Sequence, residues 1–152
     1  MGVEVLLMIH AGLGLLVLLA GVWVFVEALN VNQSNLARIR GVSLFAAVCM
    51  WLTLFFAGYW YVIYYAAEKA LILKGPWPFA HEFYMETKEH IVLMLVLLAT
   101  FLPIAARDDL AGNRAARNVF LSVAGLIVLI AIVVEGSGGI ISMGSKIAVL
   151  PK

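Results

Sequence analysis

Charge is what this sequence has least of. Only 12% of its 152 residues are Asp, Glu, Lys or Arg, against roughly a quarter in ordinary soluble domains. The charge present nearly cancels, ten basic residues against nine acidic, so no positive field exists to gather a nucleic acid. That class of partner is excluded. Cysteine is almost missing too: Cys49 stands alone inside an apolar run. It can form no intrachain disulfide and no cysteine metal cluster, and reads as a small core residue. H-E-x-x-H, G-x-S-x-G and a phosphate-binding glycine loop are also absent; His81 is followed by Glu82, but the position four residues on is Met85. Hydrolase chemistry by those routes has no footing.

What remains is oil. Hydrophobic residues make up 64% of the chain and the mean hydropathy is +1.06. A helix crossing a bilayer needs about 20 mainly apolar residues, and four stretches qualify, roughly 4–29, 42–67, 87–106 and 118–141. The sequence predicts an all-α membrane protein, one antiparallel bundle of four transmembrane helices over residues 1–152. The first stretch lacks a basic start and a small-residue cleavage pattern, so it reads as a retained span. Two connections, "NVNQSNLARIR" and "RDDLAGNRAAR", are short; the third, "EKALILKGPWPFAHEFYMETKE", carries Gly75, Pro76 and Pro78 as breakers.

The basic residues set the orientation weakly. Arg38, Arg40, Arg107, Arg114 and Arg117 on one side balance Lys69, Lys74, Lys88, Lys146 and Lys152 on the other. No basic residue precedes the first helix and two arginines follow it, which favours both termini and the long loop outside the cytoplasm. The expectation is N-out, C-out in a bacterial inner membrane, with "YWYVIYY" as an interfacial aromatic belt against lipid.

Polar residues at the edge of this oil carry the functional signal. His10 stands 17 residues from Glu27, and His90 stands 17 residues from Arg107. At about 1.5 Å per residue both imidazoles lie roughly 25 Å from the inner boundary. Glu135, 18 residues beyond Arg117, joins the same layer, and the same count along helix 2 reaches Gly58 and Tyr59. Ionisable groups inside a membrane are costly and are functional candidates by default. Gly14 shares the His10 face and Gly21 continues it, leaving room for a flat ligand or another helix. Met94, Leu97 and Phe101 continue the His90 face.

Two imidazoles across an apolar slot suit the axial positions of one b-type haem. Lys88, Tyr59 or Tyr84 would serve its propionates. Met8, Met143 or His81 stand as substitutes for a proposed ligand, although His81 reads first as an exposed loop residue. Glu82, Glu86 and His90 recur every four residues, and with Glu89 they form either an ordinary acidic first turn or a functional patch. In the functional case Glu86 orients an imidazole or passes protons, and Glu135 serves as a proton-relay acid near a quinol site. A non-haem metal held by His10, His90 and Glu135 is a further option.

"HAGLG" with His10, "KEHIVLML" with His90 and "EGSGGIISMG" with Gly138 and Gly139 together resemble small bacterial four-helix membrane families predicted to be b-type cytochromes. In those families an early histidine opens helix 1, another opens helix 3, and helix 4 ends glycine-rich. The acidic "HEFYMETKE" departs from that pattern. The resemblance implies haem carriage by His10 and His90.

The expected function is a cytochrome-like subunit, rather than a stand-alone enzyme, carrying electrons between the quinol pool and a redox partner on the outer face, an outer-face cytochrome or another subunit of a membrane redox complex. The competing readings are a cofactor-free structural or anchor subunit, and a proton-linked transporter. Little polarity below the histidine layer, only Asn30, Ser43, Thr53, Thr100 and Ser122, counts against the transporter.

Overall fold

The computed structural model describes residues 2–150, and Lys152 of the charge balance lies outside them. Among these residues the chain is helical and without strands. The helices are α1 (Val3–Leu29), α2 (Leu36–Ile63), the short α3 (Tyr65–Lys74), α4 (Glu86–Ala105) and α5 (Arg114–Ala148), with a π-helical turn, Ala80–Met85, running directly into α4. Four helical stretches, α1, α2, Ala80–Ala105 and α5, are long and apolar enough to cross a membrane. A helix apolar all round belongs in lipid or in a large core. Here Met8, Phe55, Val62, Leu97 and Leu129 project outward, so the outside of the bundle is itself apolar.

The four long helices pack in a ring ordered α1, α2, α4, α5, each touching its two neighbours and not the helix diagonally opposite. Every neighbouring pair runs antiparallel. On α1 and α5, Gly14 meets Glu135, Gly21 meets Val128 and Gly125 meets Phe25, so one helix descends as the other rises. Arg40 donates to the Ala106 carbonyl at 3.0 Å while Trp51 donates to Thr100 at 3.0 Å, which fixes α2 against α4 in the same sense. We call the end where α1 begins and α5 finishes the upper end of the bundle.

Small residues set the closeness of the lower half. Ala20, Gly21 and Ala28 on α1, Ala46 and Ala47 on α2, Ala99 on α4, and Ala124 and Ala131 on α5 are buried. A Cβ added at Gly21 would come within 3.2 Å of Val128 and 3.3 Å of Ile127. Helices in lipid gain by dispersion contact rather than by expelling water, and small residues provide the approach that contact needs. At the lower rim Arg38 grips Glu27 with two bonds of 2.6 and 2.9 Å, Asn35 adds a third at 2.9 Å, and Asn113 caps α5 through the Ala115 and Ala116 amides.

The helix bounds differ from the apolar stretches for physical reasons. α2 starts at Leu36 rather than near 42, because Arg38 and Arg40 find an acid and a carbonyl and need not end the helix. α5 runs on to Ala148 rather than to about 141. Gly136, Gly138 and Gly139 sit inside it in ordinary backbone geometry, with no positive φ among the described residues. The glycine-rich segment thins the helix face without breaking it.

Candidate functional site

Above Gly14 the ring opens around a cavity of about 780 Å³. Its polar groups gather in one pole, above a floor of Val17, Met50, Leu95 and Ala131. Gly14 faces the Glu135 carboxyl so directly that a Cβ at residue 14 would overlap it. The absent side chain is what lets an acid stand between two packed helices. Lys88 reaches in from α4, its Nζ 3.1 Å from where a Cβ on Gly138 would be, and shares the lining with Glu135. Lys88 and Glu135 do not close a salt bridge within 4.0 Å among the described residues. The space between them is open to a ligand.

His10 completes this pole. Its Nδ1 lies 3.2 Å from the Thr53 carbonyl, an oxygen that can only accept, so the proton sits on Nδ1 and the Nε2 lone pair is left free. A backbone carbonyl holding one ring nitrogen is the arrangement that readies the other as a base or ligand. Thr53 is held in turn, its hydroxyl donating to the Cys49 carbonyl at 2.8 Å. Residue counting puts Gly58 and Tyr59 level with His10; the antiparallel packing places the Thr53 carbonyl there, and Glu135 lies level with Gly14, one turn further in.

His90 is not on the cavity. Its ring is exposed, with Nδ1 donating to the Glu86 carbonyl one turn back at 2.7 Å. The helix period gives the reason. Met94, Leu97 and Phe101, which share its face, are all exposed, Leu97 by 72%, whereas Met85, Val92, Leu95 and Val96 turn inward. The face expected to form a slot beneath His90 is the outer surface of α4. The three-ligand grouping of His10, His90 and Glu135 is not gathered, and no cluster of three His, Cys, Asp or Glu suited to a metal occurs among the described residues.

Of the other expected residues, Gly14, Lys88 and Glu135 line the cavity. Tyr59, Met8 and Met143 point outward, and Tyr84 lies outside the lining. Glu86 is exposed and stands 3.4 Å from His81 Nε2.

His81 overturns its expectation. It is 4% exposed rather than a free loop residue, because the helix of α4 begins early, as the π turn, and carries it under α3. The Tyr65 hydroxyl donates to its Nδ1 at 2.8 Å. Burial holds the Tyr65 phenol well above its ordinary range, so it keeps its proton, and His81 Nε2 is left to Glu86. π turns within helices are rare and concentrate at functional places.

Glu89 of the acidic patch also lines the cavity; the sequence reading misses the upper lining, which includes Trp60, Tyr61, Glu68 and Lys146. A signal for it exists. Met50, Thr53, Ala57 and Trp60 are spaced 3, 4 and 3 apart, the period of one helix face, and all four line the cavity. Trp60 therefore separates from the aromatic belt in which it is embedded.

Set against protein-family models, curated proteins and solved structures, the chain matches none.

Proposed function

We propose that the chain is a membrane-embedded subunit of quinol-linked electron transport, and that its upper cavity receives the head group of a quinone or quinol. The observation that carries this reading is one apolar cavity, of a volume ordinary for small-molecule sites, on which a free imidazole nitrogen, an acid and an ammonium converge. A quinone ring is flat and apolar with oxygens at its edges, and its reduced form must shed protons when oxidised. His10 Nε2 and Glu135 are the groups suited to accept them. Lys88 is suited to donate to a ring oxygen. The electrons would go to a metal cofactor held by a partner subunit, an outer-face cytochrome among the candidates, which would place the chain within a larger membrane redox complex. N-out, C-out insertion in a bacterial inner membrane puts this pole on the outer side.

The test is isothermal titration of the protein in lipid nanodiscs with decylubiquinone and decylubiquinol. Binding that falls at least about tenfold in His10→Ala and in Glu135→Gln, some 1.4 kcal/mol each, with unchanged thermal unfolding, supports the site. No binding of either form sinks it.

A second reading, a cytochrome carrying one haem b, is favoured by the His10 nitrogen left free over a slot edged by Gly14, Gly58 and Gly138. The expected pair of axial histidines does not fit this cavity, since His90 would have to turn in from the outer face of α4. Optical spectra of the purified protein, oxidised and dithionite-reduced, decide the matter. A reduced b-type α-band lost in both His10→Ala and His90→Ala would replace the quinol reading with the haem. A cofactor-free anchor subunit is the remaining outcome, indicated by a colourless protein that binds no quinone.

A further inference from the structure

Two buried polar atoms find no hydrogen-bond partner among the described residues, Trp60 Nε1 and Glu89 Oε1, and both residues line the same cavity. Trp60 is 8% exposed. Its indole packs on Tyr65, with ring centroids 5.1 Å apart, which holds the N–H in place. Glu89 stands beside the Tyr61 hydroxyl, a donor within hydrogen-bond reach of its carboxyl, and one turn from Met85, which packs in the same cluster as Trp60; Oε1 is the oxygen left without a partner. Buried polar groups are nearly always paired, and one left alone costs its full desolvation, so two on one cavity wall want an explanation.

Trp60 lies seven residues above Thr53 on α2, about 10 Å by helix rise, while Glu89 directly follows Lys88 on α4, level with the polar pole. To His10, Lys88 and Glu135 the pair adds one donor and one acceptor. An indole N–H can only donate. A ligand group that pairs both atoms accepts from Trp60 and donates to Glu89. A hydroxyl does both. A carbonyl oxygen accepts from Trp60 and leaves Glu89 facing a second acceptor.

We infer that Trp60 and Glu89 read the oxidation state of the ligand, so that the cavity prefers the hydroxyl-bearing quinol to the carbonyl-bearing quinone. This rests on the quinol reading of the cavity and names the form it selects. The preference is a specificity device and involves no electron transfer. A site whose buried groups need a substrate O–H rejects the analogue lacking it. Tighter binding of the reduced form also raises the potential of the bound two-electron couple, by about 30 mV for a tenfold preference.

The experiment measures dissociation constants of decylubiquinol and decylubiquinone separately, for the wild-type protein, Trp60→Phe and Glu89→Gln in nanodiscs, with thermal unfolding as the check on folding. The expected wild-type result is a quinol constant at least about tenfold lower than the quinone constant. Glu89→Gln, whose amide can donate to a carbonyl, should bring that ratio to one or invert it. Trp60→Phe should weaken both forms, since the N–H serves either oxygen. Equal wild-type constants would mean that water alone satisfies the pair, and would overturn the selectivity while leaving the quinol site standing. A ratio unmoved by Glu89→Gln would overturn it as well. Absence of binding by both forms would instead remove the quinol reading beneath it.

Discussion

Below Gly14 the four helices meet side chain to side chain, with Val24, Ala28, Ile39, Ala99, Leu102 and Phe120 sealed from the outside. Above it the same helices stand apart around a cavity walled by His10, Lys88, Glu89 and Glu135. The two halves share one set of helices, so topology does not separate them. Side-chain size at the contacts does. Alanine and glycine bring the backbones together below, while above, Gly14 and Gly138 each yield their space to a charged group from another helix. A close-packed interior tolerates little change in volume, and ionisable groups in a membrane are kept at a cost. The lower half therefore reads as the part that holds the bundle together, and the upper half as the part that uses it.

The largest test of this contrast is Phe120→Ala. Phe120 is fully buried in the lower core, and emptying such a site costs about 3 kcal/mol. Leu54→Ala, at the half-buried cavity wall, should cost under about 1 kcal/mol, because atoms bordering an existing cavity leave little new void. Denaturant or SDS titration in micelles reads both. Equal costs would erase the distinction between the halves.

A pair of glycines sharpens it. Gly14→Val drives into the Glu135 carboxyl and should cut quinol binding about a hundredfold, some 2.7 kcal/mol. Gly21→Val presses on Val128 and Ile127 instead and should leave binding intact while lowering stability by about 1–3 kcal/mol. A Gly14 variant that binds normally would show that Glu135 takes no part in the site.

How much of this is legible in the sequence depends on which period the residues obey. The four apolar stretches stand out because each reaches the length a bilayer demands, and Gly14, Lys88 and Glu135 stand out because a small or charged residue inside such a stretch has few explanations. Face assignment is harder. On α4 both faces are apolar, with Met85, Val92 and Val96 on one and Met94, Leu97 and Phe101 on the other, so the pattern cannot say which meets the bundle and which meets lipid. His90 falls on the wrong side of that ambiguity. Ala99, small and in register with Val92 and Val96, is the clue that separates them. His81 is misplaced for another reason: prolines at 76 and 78 announce a loop, and nothing in the pattern signals a π turn that begins two residues after the second of them.

The pH dependence should also divide the halves. Burial raises the Glu68 carboxyl above its ordinary value, and Glu68 is on the upper lining. The native protein then holds this proton more tightly than the unfolded chain. Between the ordinary carboxylate pKa and the raised one, fewer protons are bound by the unfolded state, so stability falls as pH rises. The contribution is fully present below about pH 4.3 and lost once the raised pKa is passed. Thermal unfolding across roughly pH 4 to 8 should show this decline in the wild type and a flatter profile in Glu68→Gln. A decline that persists in Glu68→Gln would assign it to another group.

The smallest effect belongs at the lower rim, where Arg38→Gln removes both bonds to Glu27. The geometry is good, yet Arg38 is half exposed, 52% by its side chain, and pairs open to solvent contribute little. Asn35 and Trp23 still donate to Glu27 after the change, at 2.9 and 3.2 Å, so the carboxylate is not stranded. The expected loss is the smallest of these changes and shrinks further at high salt. A loss as large as that of Phe120→Ala, insensitive to salt, would mean that the rim clamps α1 to α2 more than the small-residue packing above it does. The lower half would then be held by its polar edge rather than by its close-packed faces.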